Sequence, residues 1–147
     1  MEASDILAIQ QLNARYGQFV DDHRFEELGD LFCADGVWEA GPLRFSGRAE
    51  VVAGFPGIEP PQPGMVKHLT FSAVVEGEGD EARVWADAIA LTVGAPGEPC
   101  PVVAAGRYHD VLRREQGQWR FAHRVFVYSG QPVPDGLSAA PALPVSA

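Results

Sequence analysis

The sequence has 147 residues, of which 46% are hydrophobic and 21% charged, and its formal net charge is -9. This length suits one domain with a single core, and the composition is ordinary for a globular protein. Its basic residues are scattered, which counts against nucleic-acid binding because that binding depends on phosphate contacts. No apolar run could span a bilayer, and the acidic N-terminus does not resemble a secretory signal, so we expect no membrane partner and a cytoplasmic protein.

Helices are predicted at the N-terminus. Ser4 is a suitable N-cap, and apolar residues then recur at helical spacing, which predicts an amphipathic helix over residues 5–22. A second helix is predicted over 24–32, ended by Ala34-Asp35-Gly36, where glycine is typical of a helix C-terminus. A third, short helix is predicted over 48–55.

Strands and loops make up the rest of the chain. The proline-rich segment 56–63 is predicted to be a loop and, beside a cavity, a candidate lid. Alternating residues predict strands over 37–39, 43–45, 65–75, 82–93, 102–112 and 119–128. Helices followed by an antiparallel meander indicate one α+β domain over residues 1–130, whose curved sheet wraps around the helices. Residues 131–147, rich in proline and alanine, are predicted to be a mobile tail or an arm on a partner.

The last strand places charge between large apolar residues. Its period of two puts Trp119, Phe121, His123 and Val125 on one face, and Arg120, Ala122, Arg124 and Phe126 on the other. A buried charge is costly unless it is paired, so we expect Arg124 to point into a cavity inside the sheet. A purely structural pairing of Arg124 with Asp110 or Glu39 is the alternative. His123 is taken as structural or partner-facing, and His23 and His109 as surface or interface residues.

Several short motifs occur in a recognisable order. They are Tyr16 and Asp21 in the first helix, Leu31-Phe32-Cys33-Ala34-Asp35-Gly36-Val37-Trp38, His68 at a strand start, Gly106-Arg107-Tyr108-His109-Asp110, and Gly117-Gln118-Trp119-Arg120-Phe121-Ala122-His123-Arg124. This order resembles the polyketide-cyclase-like (SnoaL-like) branch of the nuclear transport factor 2 superfamily, over about residues 4–129. The resemblance implies a cone-shaped α+β barrel with a deep pocket between helices and sheet.

The resemblance also implies site residues. The layout is similar to scytalone dehydratase, bile acid 7-alpha-dehydratase and hexachlorocyclohexane dehydrochlorinase, lyases that use a histidine and an aspartate to abstract a proton. These positions correspond to His68 and Asp21, a functional arginine to Arg124, and a substrate-reaching polar residue to Tyr16. The second histidine that scytalone dehydratase carries on a middle strand has no counterpart over 82–93, where Asp87 is the only ionisable residue well inside the strand.

Together these residues suggest an elimination or isomerisation. His68, oriented by Asp21, would take a proton from carbon, Arg124 would orient the substrate, and Tyr16 would donate to a developing oxyanion. Such a reaction needs no metal and no organic cofactor, and the two distant cysteines, Cys33 and Cys100, do not form a zinc motif. Each residue also has a structural alternative: His68 as an ordinary strand histidine, Asp21 as a helix end, and Tyr16 as core.

The pocket wall is predicted to include Trp38, Phe55, Asp87, Tyr108 and Phe126, of which Trp38, Phe55 and Phe126 are core residues first. The leading functional hypothesis is a dehydratase-type lyase acting on a mostly apolar cyclic molecule such as a polyketide, steroid or terpenoid. The alternatives are a non-catalytic small-molecule binder or scaffold of the same fold, and an isomerase or cyclase using the same pocket. A homodimer through the outer face of the sheet is expected, although some relatives form trimers.

Overall fold

The computed structural model describes residues 1–142 of the chain, which contain three α-helices and six strands joined by loops. The helices are α1 (Ala3–Asp21), α2 (Phe25–Asp30) and α3 (Arg48–Gly54), and the 3-10 turn Phe55–Gly57 follows α3. The strands are β1 (Phe32–Ala40), β2 (Leu43–Ser46), β3 (Val66–Glu78), β4 (Glu81–Thr92), β5 (Val102–Glu115) and β6 (Gln118–Tyr128). Residues 143–147 of the predicted tail lie outside the described residues. Within residues 1–142, no helix is long and apolar enough to cross a membrane.

All six strands belong to one curved sheet in the order β2-β1-β6-β5-β4-β3. The predicted α+β architecture, with N-terminal helices against a curved sheet, is confirmed. The sheet is mixed rather than purely antiparallel, because β1 and β6 run parallel while the other neighbours are antiparallel. The parallel pair is possible because the chain between these two strands is long enough to return in the same direction.

A bulge in β6 changes which side chains face the core. Val111 of β5 pairs with His123, and Leu112 pairs with Phe121, which leaves Ala122 as an extra residue on β6. An extra residue shifts the alternation by one position and bends the strand. Phe121 and Arg124 are therefore both buried, and the prediction that they lie on opposite faces is wrong.

The second helix is shorter than predicted, and β1 begins earlier. Gly36 was expected to stop the helix, but it lies inside β1, next to β6. A Cβ atom on Gly36 would lie 2.7 Å from the carbonyl oxygen of Phe121, closer than real Cβ contacts come. Glycine at this position therefore serves the close approach of two strands and not a helix end.

The outer face of the sheet is partly covered by the chain's own C-terminal segment. The indole Nε1 of Trp85, on β4, donates a 2.7 Å hydrogen bond to the carbonyl oxygen of Ser138. His109, on the neighbouring β5, was predicted to be a surface or interface residue; it is buried, so the surface placement is wrong. The composition of the tail did not indicate this contact with its own sheet. Pairing of the remaining outer face with a second subunit stays a prediction.

Candidate active site

A histidine and an aspartate from separate elements meet at one end of the sheet. Nδ1 of His68, at the start of β3, lies 2.8 Å from Oδ1 of Asp21, the last residue of α1. The same oxygen accepts the backbone N–H of His68 at 3.0 Å, and Lys67 Nζ lies 3.3 Å from Oδ2. The Asp21 side chain is 3% exposed and that of His68 22%. An ionised carboxylate can only accept, so Nδ1 carries a proton, and in the neutral imidazole it is Nε2 that has the free lone pair.

The backbone around this pair brings α1 and β3 into close contact. Gly17 lies one turn before Asp21, and a Cβ atom there would lie 2.8 Å from the carbonyl oxygen of His68. The helix ends at Asp21, and the Asp21 carbonyl accepts the N–H of Gly64 at 2.8 Å. The missing side chain of Gly17 and the loop before β3 therefore set the distance between the two site residues.

His68 borders a cavity of about 190 Å³ between the helices and the concave face of the sheet. The wall is mostly aromatic and aliphatic. It is lined by Tyr16, Trp38, Ala40, Leu43, Phe55, Ile58, Glu59, His68, Ala88, Ile89, Ala90, Ala104, Tyr108, Phe126 and Tyr128. An apolar wall with a few polar groups is the usual composition of a small-molecule site. The proposed pocket residues Trp38, Phe55, Tyr108 and Phe126 all lie in this wall.

Two tyrosines lie within the wall and keep their protons. Burial first, and then the neighbouring Tyr108, raise the pKa of Tyr16 well above its ordinary value, while Arg124 acts in the opposite direction. Burial also raises the pKa of Tyr108. The Tyr16 hydroxyl oxygen accepts the indole N–H of Trp38 at 2.8 Å. Because that bond uses the oxygen as an acceptor, the Tyr16 O–H can still act as a donor, and the hydroxyl of Tyr108 is its neighbour.

Arg124 does not line the cavity, which corrects the expectation that it points inside. Its guanidinium carbon lies 4.0 Å from the ring centre of Tyr16, 3.6 Å from that of Tyr108 and 4.3 Å from that of Phe121. The side chain is 0% exposed, donates to Asn13 Oδ1 at 3.0 Å, and approaches Asp110 Oδ2 to 3.7 Å. Arg124 therefore packs against the two tyrosines on the side away from the cavity. Its charged neighbour is Asp110, one of the two carboxylates predicted for a purely structural pairing.

Comparison with known families shows the family of the chain. The sequence profile of the SnoaL-like domain matches residues 1–125. The chain belongs to the SnoaL-like family. No functionally curated protein matches the sequence.

Solved structures show the same fold. A single-residue variant of Rv3472, a protein of unknown function from Mycobacterium tuberculosis, is 26% identical and has a TM-score of 0.73, covering 85% of this chain and 72% of its own. ActVI-ORFA from Streptomyces coelicolor is 17% identical with a TM-score of 0.77, over 86% of this chain and 98% of its own. A candidate scytalone dehydratase from Novosphingobium aromaticivorans is 23% identical with a TM-score of 0.72, over 86% and 85%. At these identities the last two show the fold of this SnoaL-like domain and not its chemistry.

One proposed pocket residue of the SnoaL-like domain faces away from the cavity. Asp87 lies on the outer face of β4, where its carboxylate accepts from Arg107 Nε at 2.6 Å. Its neighbours Ala86 and Ala88 are buried on the concave face. The alternation of β4 therefore presents alanines to the cavity and removes Asp87 from the pocket wall.

A further carboxyl group was missed by the sequence reasoning. Glu59, in the proline-rich segment, lines the cavity together with His68. Burial raises the pKa of the Glu59 carboxyl, Asp21 also raises it, and His68 and His23 lower it. The only sequence feature that pointed to Glu59 was its charge: it is the single acidic residue, between Ile58 and Pro60, of a loop predicted to be a candidate lid.

One group in the described residues has metal-ligand character. Cys33, Asp35 and Glu115 bring one ligand atom each within 4.8 Å of one another. The guanidinium of Arg113 hydrogen-bonds to both Asp35 and Glu115, so it already supplies the positive charge there. Burial raises the pKa of the Cys33 thiol, which disfavours the thiolate that metals bind.

Proposed function

We propose that this protein is a lyase that eliminates water from a small, mostly apolar cyclic molecule, such as a polyketide or terpenoid ring system. The observation that carries the proposal is the 2.8 Å contact between His68 and Asp21 at the edge of an apolar cavity. Imidazole is the side chain whose two protonation states are both accessible near neutral pH. A buried carboxylate on its other nitrogen fixes the tautomer and stabilises the imidazolium that forms.

In this reaction Nε2 of His68 removes a proton from the carbon beside a ring carbonyl. Asp21 stays ionised and holds the imidazolium in place. The negative charge that develops on the carbonyl oxygen is stabilised by a tyrosine O–H, for which Tyr16 and Tyr108 are available because their raised pKa values keep them protonated. The electron pair then expels a hydroxyl group from the next carbon.

Arg124 acts through the tyrosines. Its guanidinium lies within 4.0 Å of both tyrosine ring centres and is closed off from the cavity. A cation over the face of an aromatic ring is attracted by the ring's electron density. Arg124 is therefore a positioning residue. It packs against the faces of the two tyrosine rings and so fixes where their hydroxyl groups lie, and Asn13 accepts a hydrogen bond from it.

The size of the cavity limits the substrate. Its volume of about 190 Å³ is below the roughly 300–1,000 Å³ of sites for drug-sized ligands. Two fused rings suit this space better than the four rings of a steroid. Alanines at positions 40, 88, 90 and 104 form part of the wall and give it a smooth, apolar surface.

The test uses 3-hydroxy-1-tetralone, a bicyclic β-hydroxy ketone whose loss of water gives 1-naphthol. We expect the wild-type protein to produce 1-naphthol, detected by fluorescence and by mass. His68→Ala and Asp21→Asn should lower turnover by at least about 100-fold, the lower end of the usual contribution of general acid–base catalysis. Ligand affinity, measured with 1-tetralone, should change little because both substitutions leave the tyrosine, tryptophan and phenylalanine side chains of the wall in place.

The matched control is His123→Ala, which removes a half-buried histidine on the outer face that contacts Glu39 Oε1 at 3.1 Å. This variant should turn over the ketone like the wild type. Undiminished turnover in both His68→Ala and Asp21→Asn would contradict the proposed base.

A non-catalytic binding protein is the second candidate. It is favoured by β4, which presents Ala88 and Ala90 to the cavity and so contributes no second proton-transfer group to the described wall. On this alternative the wild-type protein binds 1-tetralone and leaves 3-hydroxy-1-tetralone with its mass unchanged. A product of equal mass and altered structure would instead indicate an isomerase or cyclase.

A further inference from the structure

The loop between the 3-10 turn and β3, residues 58–65, carries the only carboxyl group among the cavity-lining residues of the described chain, that of Glu59. The backbone N–H of Glu59 donates to the carbonyl oxygen of Phe55 at 3.1 Å, which fixes the residue at the end of the turn. At the other end of the segment, the N–H of Gly64 donates to the Asp21 carbonyl. One end is therefore held at the cavity wall by Phe55 and the other at Asp21, so Glu59 has a defined position at the cavity.

The surroundings of Glu59 shift its carboxyl toward the neutral form. Burial raises the pKa of its carboxyl, and this is the largest influence on it. The charged neighbours are Asp21, which raises the pKa, and His68 and His23, which lower it. Lys67 is directed at Asp21 instead, with its Nζ 3.3 Å from Oδ2. No hydrogen bond from a described residue is among the influences on the Glu59 carboxyl, so when this carboxyl is protonated its O–H can be donated to a molecule in the cavity.

We propose that Glu59 is the general acid of the elimination and donates its proton to the departing hydroxyl group while His68 removes the proton from carbon. This inference rests on the proposed function. The two residues line the same cavity from different segments, the loop before β3 and β3 itself. A substrate between them can therefore lose its proton to one residue and its hydroxyl group with the help of the other.

The step balances without a further reactant. The C–H bond breaks toward Nε2 of His68, and its electron pair becomes the new carbon–carbon double bond. The C–O bond breaks, and its electron pair leaves on oxygen, which takes the Glu59 proton to form water. The site is left with an imidazolium and a carboxylate, and transfer of the proton from His68 to Glu59, directly or through the released water, restores both groups.

The experiment separates the acid from the base with two ketones. Elimination is followed with 3-hydroxy-1-tetralone, and proton abstraction alone with 1-tetralone in D2O, where exchange of hydrogen for deuterium at carbon 2 is read by NMR. 1-Tetralone has no leaving group, so its exchange needs His68 and does not need Glu59. We expect Glu59→Gln to lower elimination by about 100-fold or more and to leave the exchange rate within about twofold of wild type.

The pH profile supplies a second readout. Wild-type elimination should fall on both sides of an optimum, because His68 must be neutral and Glu59 protonated. Glu59→Gln should keep the rise from low pH and lose the fall at high pH. The matched control is Glu78→Gln, which makes the same chemical change at an exposed residue on the far end of β3 and should leave both reactions unchanged.

The outcomes distinguish the two proposals. If His68→Ala abolishes elimination while Glu59→Gln leaves it intact, the lyase stands and the general acid is overturned. If Glu59→Gln slows exchange and elimination equally, Glu59 acts on the fold or on the base, and the general acid is again overturned. If the wild-type protein catalyses neither reaction, the lyase itself fails and the role of Glu59 fails with it.

Discussion

The contact between Gly17 and the His68 carbonyl allows a sharp test of the site geometry. Replacing Gly17 with alanine would place a Cβ atom 2.8 Å from that oxygen, whereas ordinary contacts begin at 3.4 Å. The obstacle is backbone and not a flexible side chain, so α1 and β3 must separate by up to about 0.6 Å, the difference between these distances. Asp21 is on the same helix one turn later, so the 2.8 Å contact with His68 Nδ1 would lengthen beyond the roughly 3.2 Å limit of a good hydrogen bond.

The energetic terms have opposite signs. Alanine is favoured over glycine inside a helix by about 0.8–1.0 kcal/mol, whereas overpacking costs about 1–3 kcal/mol. We therefore expect Gly17→Ala to be destabilised by up to about 2 kcal/mol, which in a domain of this size lowers Tm by up to roughly 4–8 °C. Turnover of 3-hydroxy-1-tetralone should fall by an order of magnitude or more, because small displacements in a site have large effects on rate.

The assay pairs urea denaturation with the turnover measurement. The helix-propensity term is measured in the same helix with Gln10→Ala and Gln10→Gly, since Gln10 is exposed. There alanine should be the more stable residue by about 1 kcal/mol. If Gly17→Ala is stabilised by that same amount and keeps full turnover, the close contact does not control the site.

Two further predictions concern the buried charge and the C-terminal segment. Burial raises the pKa of Asp110 from 3.8 to about 7, with Arg124 acting against it. Because the pKa is higher in the folded protein than in the unfolded chain, the folded protein binds this proton more tightly. Its stability therefore falls as the pH rises from 3.8 to about 7. Between pH 5 and 7 wild type should lose roughly 2–3 kcal/mol relative to Asp110→Asn, and parallel stability curves in urea would contradict this. A chain that ends at Pro134 removes the Ser138 carbonyl that accepts from Trp85 Nε1, so tryptophan emission should shift to the red and stability fall by about 1 kcal/mol. Unchanged emission would mean that Trp85 is shielded by other groups.

The sequence predicted the elements that have strong local patterns. The apolar stripe of α1 and the alternation of β3, β4 and β5 located these elements to within a few residues. The order of motifs then indicated the family, and with it the pair formed by His68 and Asp21. Their meeting depends on contacts between distant segments, so local pattern alone did not predict it.

Other features were set by tertiary contacts that no local pattern encodes. The bulge at Ala122 shifts the alternation of β6 by one residue, and Arg124 packs against the tyrosine rings instead of lining the cavity. Gly36 resembles a helix stop in sequence, but the approach of β6 requires it inside a strand. Glu59 was overlooked because a carboxylate in a polar loop is ordinary until the loop is seen to border a cavity.

The position of β6 between β1 and β5 has a consequence for how the protein is made. β6 leaves the ribosome after the other five described strands, yet it joins the β1–β2 hairpin to the β3–β4–β5 meander. Until residues 118–128 have emerged, the nascent chain consists of two separate pieces of sheet with exposed hydrogen-bonding edges, which is when strands are prone to aggregate. The sheet should therefore close only after residues 118–128 have emerged, and a premature stop before residue 118 should yield chains that chaperones retain or proteases remove.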